Sequence, residues 1–373
     1  MVYLFSIASF ALLATIAVVG HPGAAPMSGA EVARRSQLQQ ATRRSLGACQ
    51  DTLARRNKME KSAARRAALA DELRKKRGLP TRSQYKRALT LEEVLNTDHH
   101  SNATGLTVDS DPFSADASCV LTPELEQGPF YVKGEYVRRT VSEDQPGLYS
   151  YVDLELIDVS TCEPLTGVYI DFWHCNSTGV YAGVIESGNG DSSDFSNLDA
   201  TFLRGIQPTN DEGYASFETV FPGTHYSGRA THFHTVVHSD GTLFDNGTFT
   251  ASSEHHIGQI FFDQSLITAV ELTSPYSNNT VAVTTNSVDR VFALGVEPDD
   301  GSTGVDPVLE YVYLGDDVSD GLLLWGTIGV DMSASFTISP AATLTEDGGV
   351  LNEGSSGGGP GEEFPGAGDG NTF

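Results

Sequence analysis

Beyond Arg87 the sequence has almost no positive charge: residues 88–373 hold 6 Lys and Arg against 44 Asp and Glu, a sum of −38. A body of that sign repels phosphate backbones and anionic headgroups, so nucleic acid and membrane surfaces are poor partners for it, although a basic leader could act on its own. Cysteine is scarce: Cys49, Cys119, Cys162 and Cys175 are the only four. In an oxidising compartment they allow two disulfides, and if a leader carrying Cys49 is removed, one of the other three stays free. After the first twenty residues no apolar run is long enough to span a bilayer, and the C-terminus lacks the apolar end of a GPI signal.

The first 87 residues are a different polypeptide, with 17 of the 23 Lys and Arg, only 5 Asp and Glu, and a sum of +12. Residues 1–20 carry an apolar run ending in small residues, which predicts a secretory signal peptide despite an n-region without Lys or Arg. Sequons at Asn102, Asn176, Asn246 and Asn278 fit a secreted, extracellular glycoprotein, with no membrane association after signal removal. Residues 21–87 form a basic helical leader: from Glu31 to Gly78 there is no proline, and Gly78-Leu79-Pro80 is a stop signal. Its leucines give no sustained heptad. Two readings stand level, an arm for a homodimer and a pro-segment cleaved at Lys76-Arg77 or Lys86-Arg87.

An acidic linker over 88–118 leads to short β-branched and aromatic runs at Tyr151–Val159, Val168–His174, Tyr214–Val220, His232–His238, Gln259–Phe262, Val281–Thr285, Val291–Val296 and Leu322–Val330. Gly, Pro, Asn and Asp clusters separate them. The pattern predicts an all-β fold, an antiparallel β-sandwich catalytic domain over 119–340, followed by a disordered Gly/Pro/Glu tail over 341–373.

The stretch from Phe221 to His238 carries the chemistry. Residues two apart in a strand share a face ~7 Å apart, so the rings of His232 and His234 can converge on one metal; His238 lies about 13 Å beyond His234. Hydrogen-bonded strand histidines would give the same spacing. Tyr181 and Tyr226 turn the reading toward iron, because displacing a phenol proton of pKa ~10 takes a hard, strongly acidic ion such as Fe(III).

At these residues the sequence resembles the intradiol ring-cleavage dioxygenases, in particular their secreted fungal branch. The resemblance runs in order through Leu121–Tyr131, Gly167–Gly183, Phe202–Gly205, Asp211–Phe217 and Tyr226–His234, covering about residues 119–300. It implies non-haem Fe(III) held by Tyr181, Tyr226, His232 and His234, with Tyr226 axial and also the base that takes a substrate proton. It implies that Arg229 stabilises charge on the substrate and that Gln259 lies near it. The implied partners are a small aromatic diol and O2, the ring being cut between its two hydroxyl-bearing carbons in aromatic compound catabolism. Only Ser227 to Thr231 separate Tyr226 from His232, a shorter loop than in better-known members, so the substrate does not carry over. His174 and Cys175 read as packing or disulfide residues, and His225 as a neighbour able to tune the pocket.

Two other function classes compete. Cleavage after Gly20 would expose His21, a start that resembles secreted copper monooxygenases, although the basic leader directly after it argues against that. A non-catalytic secreted β-sandwich is the other.

Overall fold

The computed structural model describes residues 53–79, 128–186, 188–225, 228–296 and 306–352, together with Arg34 and Gln37. The expected signal peptide and linker, Asn102, Cys49, Cys119 and Tyr226 lie outside the described residues. Among the described residues no helix is long and apolar enough to cross a membrane.

Two four-stranded sheets face one another. Strands β1 (Val132–Lys133), β2 (Tyr149–Asp158), β3 (Tyr169–Trp173), β4 (Arg204–Pro208), β5 (Tyr214–Val220), β6 (His232–His238), β7 (Gly241–Leu243), β8 (Phe249–Ala251) and β9 (His256–Phe261) precede β10 (Glu310–Tyr313), β11 (Leu322–Val330), β12 (Ala342–Thr345) and β13 (Gly348–Leu351). One sheet runs β10-β11-β2-β5, the other β4-β3-β6-β9. Their inner faces share one core: Val152, Leu154, Leu156, Phe217 and Leu324 meet Ile170, Phe172, Phe233, Val237 and Ile260. Alternate residues of each strand supply these side chains, as the period of two requires.

The sheets are not wholly antiparallel as expected, because β11 runs parallel to β2 and β12 parallel to β1. Parallel neighbours need a long crossover connection; β2 and β11 are separated by nearly the whole domain. Helix α2 (Gln264–Glu271) follows β9, and the expected strand at Val291–Val296 is part of a further helix, α3 (Arg290–Val296), in which the Val291 and Phe292 amides donate to Asp289 Oδ1. A short apolar run does not discriminate strand from helix by periodicity. Residues 281–285 are irregular: Asn279 turns the chain by accepting the Val281 N–H and donating to the Thr224 carbonyl, and Val283 stays exposed. The expected disordered tail begins too early. Residues 342–351 form the β12-β13 hairpin, tied to the domain by the bond from the Gly349 N–H to Asp199 Oδ1. Residues 353–373 lie outside the described residues.

The described part of the basic leader holds helix α1 (Leu53–Arg77), which lies against this chain's own sandwich. Its Ala63, Ala70 and Leu73 pack on Tyr151, Val312, Leu314, Leu323 and Trp325, the outer face of the first sheet. That is why β2 and β11 are buried on both faces. The same face carries Asp153 and Glu155, two buried carboxylates that require partners. Arg65 grips Asp153 with a bidentate pair, and Arg66 lies 3.6 Å from Asp153 and 3.4 Å from Glu155. Arg74 donates to the Leu314 and Tyr313 carbonyls, and Arg77 to the Asp320 carbonyl. Gly78, at φ +70°, ends the helix in the left-handed conformation that a C-terminal glycine supplies.

Removing one partner from a buried ion cluster leaves the others uncompensated, at about 3–5 kcal/mol. Asp153→Ala is therefore expected to lower the unfolding free energy in urea by about that amount. A loss below about 1 kcal/mol, the range of surface pairs, would show that α1 is not part of the cooperative unit.

Candidate metal centre and active site

Strand β6 presents Phe233, Thr235 and Val237 to the core and His232, His234, Val236 and His238 to the outer face of the second sheet. Register fixes the neighbours. His234 stands opposite Trp173 on β3 and Gln259 on β9, and Trp173 stands opposite Arg204 on β4. The row Arg204–Trp173–His234–Gln259 thus crosses the whole sheet on one face, fully buried beneath the segments that carry Phe130 and Tyr181.

Within that row the two imidazoles converge. Their Nε2 atoms are 3.0 Å apart. Two nitrogens bound at about 2.1 Å and at right angles to one metal would be separated by about 3.0 Å. The Nδ1 of His232 lies 2.7 Å from the Ala230 carbonyl, so it carries the proton and leaves Nε2 as the lone-pair donor. The ring of His234 is stacked on Trp173 at 4.8 Å with 6° between planes. Gly128 closes its other side: a Cβ there would sit 2.8 Å from His234 Cε1, and φ is +79°. Both rings are held by packing as well as by sequence.

Tyr181 completes the cluster within the described residues. Fully buried, its ring lies 5.9 Å from that of His234 and 4.8 Å from that of Phe130. His225 stands edge-on to both Tyr181, at 5.7 Å, and His232, at 4.5 Å. Burial, followed by the nearby Arg229 charge, pushes His225 down to about 3 and His232 well below the ordinary imidazole value. Both are neutral near pH 7, the form that can donate a lone pair. Among the described residues no group of three His, Cys, Asp or Glu side chains is arranged to hold a metal, and the phenol of Tyr181 is the further donor type beside the histidine pair. The donor chemistry fits ferric iron, with Tyr181 beside the pair.

Behind the histidines lies a cation. Arg229 Nε donates to Asp289 Oδ2 at 3.0 Å, and its Nη2 donates to Gln259 Oε1. Asp289 also accepts the Ala230 N–H and caps α3, so one buried carboxylate fixes the arginine, the turn before His232 and a helix. Sequence reasoning missed Asp289. An acidic residue just before an apolar run is a helix-start signal that would have found the cap, but not its second role.

The structure therefore brings Tyr181, His232, His234, Arg229 and Gln259 to one place; Tyr226 is outside the described residues. His174 points elsewhere, with its Nε2 2.8 Å from Thr219 Oγ1 and its Nδ1 2.7 Å from the Cys175 carbonyl. Cys175 is buried and free, and Cys162 is disulfide-bonded. Beside Trp173 lies a second buried polar group, in which Asp171 is 3.9 Å from His238 and Glu135 is 3.7 Å from Arg204. Burial lifts Glu135 to about 8 against the pull of Arg204.

No protein-family model matches the chain, and no curated protein matches it. Among solved structures it is similar to an intradiol ring-cleavage dioxygenase from Tetranychus urticae, at 29% identity over 57% of this chain and 95% of that one, with a TM-score of 0.44. The dioxygenase domain of a dioxygenase carbohydrate-binding protein fusion from Streptomyces sp. SirexAA-E shares 20% identity over 57% of this chain and 98% of that one, with a TM-score of 0.35. A catechol 1,2-dioxygenase from Pseudomonas arvilla C-1 shares 19% identity over 58% and 65%, with a TM-score of 0.36.

Buried neutral histidines give the fold a pH dependence of known sign. Burial holds His174 at about 3, against an ordinary 6.5, so below pH 6.5 the unfolded chain takes up protons that the folded chain refuses. Its contribution is complete above pH 6.5 and is lost as pH falls toward 3, at up to about 1.4 kcal/mol per pH unit. His174→Gln should make the decline in urea stability between pH 7 and 4 shallower. An unchanged slope would contradict the assignment.

Proposed function

We propose that this chain is a secreted non-haem Fe(III) dioxygenase that opens catechol-type rings between the two hydroxyl-bearing carbons. The observation that carries it is the 3.0 Å approach of the His232 and His234 Nε2 atoms beside the buried ring of Tyr181, with Arg229 held behind them. Tyr181, Tyr226, His232 and His234 would hold the iron. Bound ferric iron would supply a Lewis acid that draws electron density from a bound catecholate and opens its ring carbon to O2.

The protein's part is to bind, orient and move protons. With iron bound, the phenolate oxygen of Tyr226 would accept one proton of an entering catechol, and hydroxide would accept the other and leave as water. Arg229 stays protonated and presents a planar fork of donors; Asp289 and Gln259 fix its plane, so it can stabilise negative charge developing on the substrate without reorganising. Trp173 and Gly128 keep His234 in one orientation. The buried, apolar surroundings of Phe130, Phe261 and Tyr181 lower the local dielectric, which strengthens the interactions among these charges.

Passage through an oxidising, glycosylating compartment is part of the same proposal. It is supported by the apolar N-terminus, the bonded state of Cys162, and the exposure of Asn246 and Asn278. Asn176 differs, since its Nδ2 donates to Gln145 and its Oδ1 accepts the Val180 N–H.

Ferric titration of the purified chain tests the reading. One iron per chain and a red-brown tyrosinate band are expected. Tyr181→Phe and Tyr226→Phe should each bleach or shift the band, and His234→Ala should weaken iron binding by about 100-fold or more. A colourless protein holding stoichiometric copper, or no metal, would overturn it.

A further inference from the structure

Tyr181 lies in the long connection between β3 and β4, outside any helix or strand. Nothing in a backbone ladder holds it, yet its peptide groups are all engaged, and by side chains. Its N–H donates to Asn189 Oδ1 at 2.7 Å. Asn189 Nδ2 donates back to the Tyr181 carbonyl at 2.9 Å and to the Val184 carbonyl at 2.8 Å. Asn197 Nδ2 bridges the same two carbonyls, at 2.8 and 2.9 Å. One residue on, the Ala182 carbonyl accepts from Arg204 Nε at 2.8 Å, and Arg204 Nη2 donates to the Phe130 carbonyl at 2.7 Å.

Asn189 is 2% exposed and Arg204 1%. We infer that Asn189, Asn197 and Arg204 are positioning residues that frame Tyr181 as a ligand. The Asn189 amide imitates a strand neighbour, accepting from the N–H and donating to the C=O of one residue, so Tyr181 has the backbone constraint of a sheet without the sheet. Arg204 joins this frame to the other covering segment. Through Phe130 it anchors the stretch whose Gly128 rests on His234, and β3 and β4 place it opposite Trp173. A phenol held by a free loop would give up conformational entropy on each metal-binding event; this frame removes that cost in advance.

The consequence for iron rests on the proposed ferric site, whereas the frame itself does not, and one variant separates them. Asn189→Asp keeps the shape and the acceptor for the Tyr181 N–H but turns an oxygen toward two carbonyls. Amide hydrogen exchange of the metal-free protein should show Tyr181 exchanging at least about tenfold faster, with His232 to His238 unchanged. Ferric titration should show a displaced tyrosinate band and iron affinity lowered by about 10–100-fold, the range for partners that orient a ligand.

Asn197→Asp should move both readouts in the same direction and serves if Asn189→Asp does not fold. Asn210→Ala, which loses the acceptor of the Glu212 and Tyr214 N–H groups in the turn between β4 and β5, at the far end of β4 from Arg204, should move neither. Wild-type exchange at Tyr181 in both loop variants would overturn the frame. An unchanged band and affinity alongside faster exchange would overturn its role in positioning the ligand. If the wild-type protein itself takes no colour from iron, the ferric reading fails and the exchange data alone judge the frame.

Discussion

Everything at the site depends on strand β6 being buried on both faces. On the inner side Phe233 packs against Phe172 at 4.7 Å and Phe262 at 4.8 Å, and this contact locks the strand into the sandwich core. Because the period of a strand is two, locking Phe233 inward fixes His232 and His234 outward, and a slip of one residue would reverse them. The pairing with β3 and β9 then chooses what the histidines meet, namely Trp173 on one side and Gln259 on the other. Packing energy in the core is thus converted into the position of two nitrogens.

Neutral imidazoles, a buried phenol and a fixed guanidinium would be costly to assemble on an open surface. Here the cost is offset by covering segments that have no regular structure and are bound by side-chain amides, carboxylates and one arginine. Asp289 and Arg204 act alike in this, each tying a site residue to a distant part of the chain. The opposite sheet follows the same logic on a larger scale. Its acidic outer face would be unstable alone, and the basic helix α1 neutralises it, which gives the charge division at Arg87 a physical role within one molecule.

Much of this was legible in the sequence. Short β-branched and aromatic runs between turn clusters placed β5, β6 and β11 with their observed bounds, and the His-x-His spacing located the pair that converges. What was not legible depends on partners distant in sequence. Val291–Val296 became helix because Asp289 accepts its first amides, and β11 entered beside β2 in parallel because of the crossover between them. Strand β4 was missed because Arg204-Gly-Ile-Gln-Pro208 has only one strong apolar residue; pairing with β3 makes it a strand. Asn189 and Asn197 read as loop residues, and only the folded chain shows both amides on the same two carbonyls.

In the proposed function this outer-face cluster cuts an aromatic diol between its hydroxyl-bearing carbons with O2. Product analysis after turnover of catechol by the iron-loaded protein under isotopically labelled O2 tests it most directly. An open-chain diacid cut between those carbons is expected, with labelled oxygen incorporated, and none is expected when His234 is replaced by Ala. Cleavage beside rather than between the hydroxyl-bearing carbons, or a quinone formed without incorporation of oxygen, would contradict it.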